Sequence, residues 1–263
     1  MWVKNYPSVF SIKNIKIMSN RILHKANTRG NANHGWLNAH HSFSFANYYE
    51  PSRMNFGVLR VLNDDIVAPS MGFGTHPHDN MEIITIPLRG ALRHKDSMGN
   101  EGVIEQFDIQ VMSAGTGVRH SEFNANSHQD VNLLQIWLFP NQRNVSPRYD
   151  QKTFKPEDRE NQLQTVVAPL NSPETQTDGQ TGAIGIHQNA WFSLGSLKAG
   201  IEKEYKMRRE GNGVYAFLIE GSATINGTPL SKRDALGVCD TEKLIIKADS
   251  NAEVLLIDVP MEF

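Results

Sequence analysis

Short runs of β-branched and aromatic residues, each closed by Gly, Asn, Asp or Pro, follow one another along almost the whole chain. In the first half they lie at residues 56–62, 82–88, 110–113 and 133–139, and in the second at 214–219, 223–225, 244–247 and 253–259. Runs of this kind read as strands separated by tight turns. No long segment keeps the apolar period of a helix, and only residues 156–164 read as a short one. The chain is therefore confined to the all-β class, as sandwiches or barrels.

The pattern occurs twice. Pro87-Leu88-Arg89-Gly90-Ala91 and Leu218-Ile219-Glu220-Gly221-Ser222 each place a strand, a polar residue and a Gly before another strand, and a turn Gly follows at Gly99 and Gly227. Further on, Phe107-Asp108 and Arg233-Asp234 each precede an apolar segment, as a tight turn entering a strand does. Two copies of one β unit fit the length of 263 residues. The expected division is an N-terminal extension at 1–20, a first domain at 21–148 and a second at 149–263. The connection is expected near 141–155, and residues 171–182, rich in Thr, Gln, Asp and Gly, read as a surface loop. Residues 1–17 match nothing later in the pattern, which makes Met18 an alternative start.

Charge and cysteine usage narrow the function. A net charge of −2 and a pI near 6.6 provide no basic field for nucleic-acid binding. Cys239 stands alone, so an intramolecular disulfide and a thiolate-rich metal site are both excluded, which suits a reducing compartment. Lys4, Lys13 and Lys16 sit among polar groups without the apolar stretch of a secretory signal, and no run is long enough to span a membrane. A cytoplasmic location is expected. No phosphate-cradling loop, nucleophile elbow or dinucleotide fingerprint occurs. The charged run 202–210 reads as a solvated edge that discourages strand pairing, and Cys239 as a small buried hydrophobe.

The ten histidines are unevenly spread, with only His187 beyond His128, so the second half cannot assemble a multi-histidine site. In the first half, Gly74-Thr75-His76-Pro77-His78 is followed by Glu82 and Gly90, and later by Gly117-Val118-Arg119-His120-Ser121-Glu122 with Asn124. Residues i and i+2 of a strand share a face, so His76 pairs with His78 and His120 with Glu122. Two such strands facing into a barrel bring three imidazoles and a carboxylate together. That donor set suits divalent Fe, Mn, Co, Ni, Cu or Zn and suits Mg or Ca poorly. Four ligands with open positions allow catalysis. Pro77 donates no ladder hydrogen bond, which fits an edge or bulged strand, and Gly115-Thr116-Gly117 allows a sharp bend before His120.

The spacing of these two segments is the two-part signature of the cupin superfamily. The resemblance is closer still. Arg29-Gly30-Asn31-Ala32-Asn33-His34-Gly35-Trp36-Leu37, His41-Ser42-Phe43-Ser44-Phe45, Gly72 through His78 and Met112 through Glu122 resemble the pirin family, and within it the bacterial quercetin 2,3-dioxygenase-like members. The likeness runs from about Ile22 to Pro260. It implies a bicupin of two tandem double-stranded β-helix (jelly-roll) barrels, the N-terminal one holding one divalent metal, iron first, and the C-terminal one without ligands. It implies Glu122 as the carboxylate ligand, where the general cupin pattern points to Glu82. It also implies cleavage of a flavonol such as quercetin by O2 with loss of carbon monoxide. In that reaction the metal acts as Lewis acid and Glu122 is the catalytic proton acceptor. The alternative it carries is a metal-binding regulator that acts through protein partners. A purely structural metal ranks last. Phe43, Phe45, Phe56, Met71, Phe73, Met81, Met112 and Trp137 are available for an apolar slot, most of them as plain core, while His34, His40 and His41 read as turn and strand-edge residues.

Overall fold

In the computed structural model, which describes residues 21–176 and 182–262, each half of the chain is a seven-stranded sheet facing a four-stranded one. In the first half, the large sheet runs in the order Arg148–Thr153, Asp108–Ser113, Glu82–Arg89, Val131–Leu138, Leu59–Val67, Leu37–His41, Gly30–Asn33. The small sheet runs Gly72–His78, Val118–Asn124, Ala91–Asp96, Glu101–Glu105. The second half repeats the plan. Its large sheet is Arg21–His24, Ala235–Val238, Asn212–Glu220, Ala252–Pro260, Trp191–Leu197, Leu163–Pro169, Ile184–Ile186, and its small one is Glu202–Lys206, Lys243–Ala248, Ser222–Ile225, Thr228–Ser231. The chain is all-β and forms two tandem cupin barrels. The proposed extension at 1–20, the start at Met18 and residues 177–181 of the 171–182 loop lie outside the described residues.

The repeat seen in sequence is a repeat of backbone conformation. Gly90 and Gly221 have φ of 78° and 80°, and at each a Cβ would press on a carbonyl across the turn, of Asp130 and of Asn251. Phe107 and Arg233 also have positive φ, 77° and 67°, and the following aspartates close matching turns. Asp108 Oδ2 accepts from Glu105 N at 3.0 Å, and Asp234 Oδ2 from Ser231 N at 2.9 Å. An Asp one residue after the turn supplies the acceptor that the backbone N–H lacks.

Several element boundaries differ from expectation. Residues 156–164 are not a helix. Pro156–Arg159 is a single 3-10 turn, Asn161 turns left-handed at φ 54°, and the chain then enters Leu163–Pro169, where Val166 and Val167 favour a strand. The strand expected from residue 56 begins at Leu59, because the chain turns at Gly57, φ 52°. Cys239 is half-buried just past Ala235–Val238, since the strand ends before it. The run 202–210 begins as the edge strand Glu202–Lys206, which buries only Tyr205. Among the described residues, no helix is long and apolar enough to cross a membrane.

The largest core lies between the two barrels, where the large sheets meet face to face. Leu62, Ile84, Leu134 and Ile136 of one pack with Tyr215, Phe217, Leu255 and Ile257 of the other, all fully buried. Two strands tie the halves further. Arg21–His24 pairs antiparallel with Ala235–Val238 of the second half. Arg148–Thr153, just where the sequence suggested the boundary, pairs with Asp108–Ser113 of the first. At the rim, Asp64 accepts from Arg29 at 3.3 Å and faces Arg233 at 3.6 Å.

The barrel interiors differ in kind. The second is filled by Val214, Ala216, Leu218, Leu244, Ile246, Leu256 and other apolar residues. The first has one apolar layer around Leu92, Ile104 and Leu133 and another around Ile83, Met112 and Val118. Buried polar groups lie between them: Asp65, Thr85, His94, Gln110, His120, Glu122 and Gln135.

Candidate metal centre

Strand register brings the two ligand segments together. Gly72–His78 is the edge of the small sheet, as Pro77 requires, and pairs antiparallel with Val118–Asn124 so that His76 lies opposite His120 and His78 opposite Val118. A bulge between His120 and Glu122 shifts the register there. On its other side the same strand pairs with Ala91–Asp96, which sets His94 opposite Glu122.

The ring centroids of His76, His78 and His120 are 4.4 to 4.9 Å apart, and a donor atom from each lies within 4.8 Å of the other two. The His76 ring is oriented by Nδ1, which donates to Gly74 O at 2.8 Å and leaves the Nε2 lone pair pointing inward. That Nε2 is 3.0 Å from Nε2 of His120. His78 Nε2 and His120 Nδ1 are buried without a hydrogen-bond partner. Burial, reinforced by the neighbouring imidazoles, pushes His78 down to about 4 and His120 to about 3. Both rings are therefore neutral at physiological pH, the protonation state of a ligand. Convergent neutral nitrogens, some of them orphaned in the interior, fit a divalent transition ion.

Glu122 is held differently. Its carboxylate accepts from Gln135 Nε2 at 3.2 Å on Oε1 and 3.1 Å on Oε2, with Thr85 Oγ1 at 3.4 Å from Oε1. It shares donor-atom range with His120 and His94, while the His76–His78 group forms without it. Burial is the largest influence on its proton affinity and raises it. His94 was not singled out in the sequence. Its Nε2 is 3.2 Å from Asp96 Oδ2 and its Nδ1 3.2 Å from Gln110 Nε2, so both ring nitrogens are engaged, and its ring stacks on Tyr149 at 4.9 Å. Its ring lies 5.4 Å from that of His120 and it stands opposite Glu122 across the strand pair, so that it shares donor-atom range with both.

The other residues flagged in the sequence are sorted by the fold. Glu82 lies an odd number of positions from Thr85 and so on the opposite face of its strand, where Ser113 Oγ donates to it at 2.8 Å. Burial raises it to about 7. His41 bonds Asn63 at 2.9 Å and His40 meets Asn31, both away from the cluster, and His34 is exposed. Phe43 and Phe56 are interbarrel core, and Met81 and Trp137 pack against the apolar layer that contains Met112. Trp137 lies 4.9 Å from His78 and 5.3 Å from Phe45, and Phe73 lies 6.5 Å from His76. The three apolar rings, Phe45, Phe73 and Trp137, lie beside the cluster.

Comparison with known proteins agrees with this architecture. The pirin profile matches residues 23–138 and that of the quercetinase C-terminal cupin domain residues 175–259. The chain is 42% identical to quercetin 2,3-dioxygenase of Escherichia coli K12 over 238 residues, covering 90% of this chain and 98% of that one. It is 44% identical over 232 residues to a putative quercetin 2,3-dioxygenase of Pseudomonas aeruginosa, covering 88% and 95%. The crystal structure of the bacterial pirin YhhW from E. coli in complex with nickel(II) superposes with a TM-score of 0.83 at 41% identity, over 92% of this chain and 99% of that one. With paired cupin barrels and relatives this similar along nearly its full length, the chain belongs to the pirin family.

Proposed function

We propose that the chain is a metal-dependent dioxygenase that opens a flavonol such as quercetin with O2. The observation that carries the reading is the convergence of three imidazoles, two of them with ring nitrogens that lack partners among the described residues, beside a buried carboxylate. His76, His78 and His120 would hold the metal with Glu122 as fourth ligand, and the nickel complex of YhhW supports a divalent ion in such a centre. A bound ion supplies Lewis acidity that lowers the pKa of a substrate hydroxyl. Glu122 is suited to take that proton on a carboxylate oxygen, because burial favours its neutral form, and Gln135 and Thr85 keep the carboxylate oriented. Gly74 O fixes the His76 ring, His94 packs 5.4 Å from His120, and Phe45, Phe73 and Trp137 give the cluster an apolar flank. The names of the E. coli and Pseudomonas relatives support quercetin as the substrate to try first.

The test is metal content of wild-type and His120→Ala protein, with oxygen uptake and loss of quercetin absorbance followed in the same samples. Wild type should carry about one metal per chain and consume both substrates, and the variant should lose metal and turnover together. Metal without flavonol turnover would leave the centre and move the regulatory alternative, or another aromatic substrate, ahead. No metal under any supply would remove the reading.

A further inference from the structure

A cavity of about 490 Å³ outside the histidine cluster has the chemistry of a ligand site, within the ~300–1,000 Å³ typical of small-molecule pockets. Its apolar surface comes from Met54, Phe139 and Pro140, and its amide groups from Asn55 and Asn80. Two cations complete it, Arg60 and Arg143, and no carboxylate among the described residues lines it. Arg60 Nη1 donates to Ser44 O at 2.7 Å and Met54 O at 3.1 Å, which pins the guanidinium plane while its remaining N–H groups meet no acceptor among the described residues. Arg143 is exposed and has no acceptor among the described residues. Two unpaired guanidinium edges over an apolar wall, in a chain of net charge −2, are a local reversal of sign.

The cavity is linked to the histidine cluster through neighbouring residues on two sides. Asn80 lies two residues past His78 and exchanges hydrogen bonds with Asn144, at 2.7 and 3.2 Å, which holds the segment carrying Arg143. Across the cavity, Ser44, whose carbonyl orients Arg60, precedes Phe45, and that ring touches Trp137, which touches His78.

We propose that this cavity binds a planar aromatic oxyanion, with the anionic group on Arg60 and Arg143 and the ring against Phe139 and Pro140. The binding is carried by residues outside the histidine cluster and does not require the dioxygenase reading. Calorimetric titration of the full chain with naphthalene-2-carboxylate and with the neutral naphthalene-2-carboxamide tests it, using zinc-loaded and chelator-stripped protein. The carboxylate should bind at least roughly tenfold more tightly than the carboxamide in both forms, as a charge-assisted hydrogen bond requires. Arg143→Gln, on an exposed segment, should remove most of that preference with melting temperature unchanged, and Arg143→Lys should restore part of it. Equal affinity for the two probes overturns the proposal. So does a preference that survives Arg143→Gln, or one that appears only with zinc, which would put the carboxylate on the histidines.

Discussion

Single residues in the polar layer of the first barrel carry opposite pH signatures. Asp65 has a buried Oδ1 without a partner, and burial, then Asp64 and Glu122, raises its carboxyl from 3.8 to about 8. The folded chain therefore holds a proton that the unfolded chain releases, and the stability tied to this group is full below the unfolded value and lost as pH rises through the folded one. The imidazoles of His78, near 4, and His120, near 3, act the other way. Their folded values lie below 6.5, so stability falls as pH drops beneath that value. In metal-free protein, Asp65→Asn should flatten the alkaline limb of urea midpoints, by on the order of a few kcal/mol between about pH 5 and about pH 9, and leave the acid limb in place. An unchanged alkaline limb would show that Asp65 is ionised in the fold. Gln135→Leu tests the support of Glu122 independently. Loss of its two donor contacts should weaken metal retention roughly 10- to 100-fold in chelator competition while the melting temperature of the stripped protein stays close to wild type. Equal retention would mean that Glu122 needs no such holding.

At the scale of elements, the two aspartate turns do more than reverse direction. Asp234 accepts from Ser231 N and also from Ala26 N and Lys25 Nζ, both at 2.8 Å, and so fastens the segment next to Arg21–His24 onto the second barrel. Asp234→Ala should cost about 2–3 kcal/mol and raise hydrogen exchange selectively at residues 21–24 and 235–238. Uniform protection would show that the strand pairing holds alone. This fastening was not legible in the sequence, because pairing between segments so far apart leaves no local pattern. The strands themselves were legible, since β-branched alternation and turn residues are local. His76, His78, His120 and Glu122 stood out because i, i+2 spacing survives into the strand. The rest of the polar layer did not. Ala91–Asp96 buries Leu92, His94 and Asp96, and an inward His or Asp in such a strand is indistinguishable by sequence from an outward one. Residues 156–164 misled because a Pro-led acidic start resembles a helix N-terminus, whereas only one turn follows before β-branched residues take over.

At the scale of the whole molecule, the interbarrel core joins the two halves into one unit. Phe217 is fully buried there, and Arg29 lies 5.7 Å over its ring. Phe217→Ala should cost about 3–5 kcal/mol and lower the melting of both barrels in a single calorimetric transition, whereas a split into two transitions would show that the barrels unfold separately. The two barrels divide the burden unevenly: the second has a largely apolar interior in which Tyr205 and Asn212 hold the buried Asp258, whereas the first carries several buried carboxylates and imidazole nitrogens without a partner among the described residues, at a cost in stability. The exchanged strand adds a constraint in time. Residues 21–24 are made long before their partners at 235–238. The first barrel, including its histidine cluster, can close while the segment that precedes it still waits for its partner strand. During synthesis the half with the histidine cluster can thus form before residues 235–238 exist, and the pairing that joins Arg21–His24 to the second half follows later.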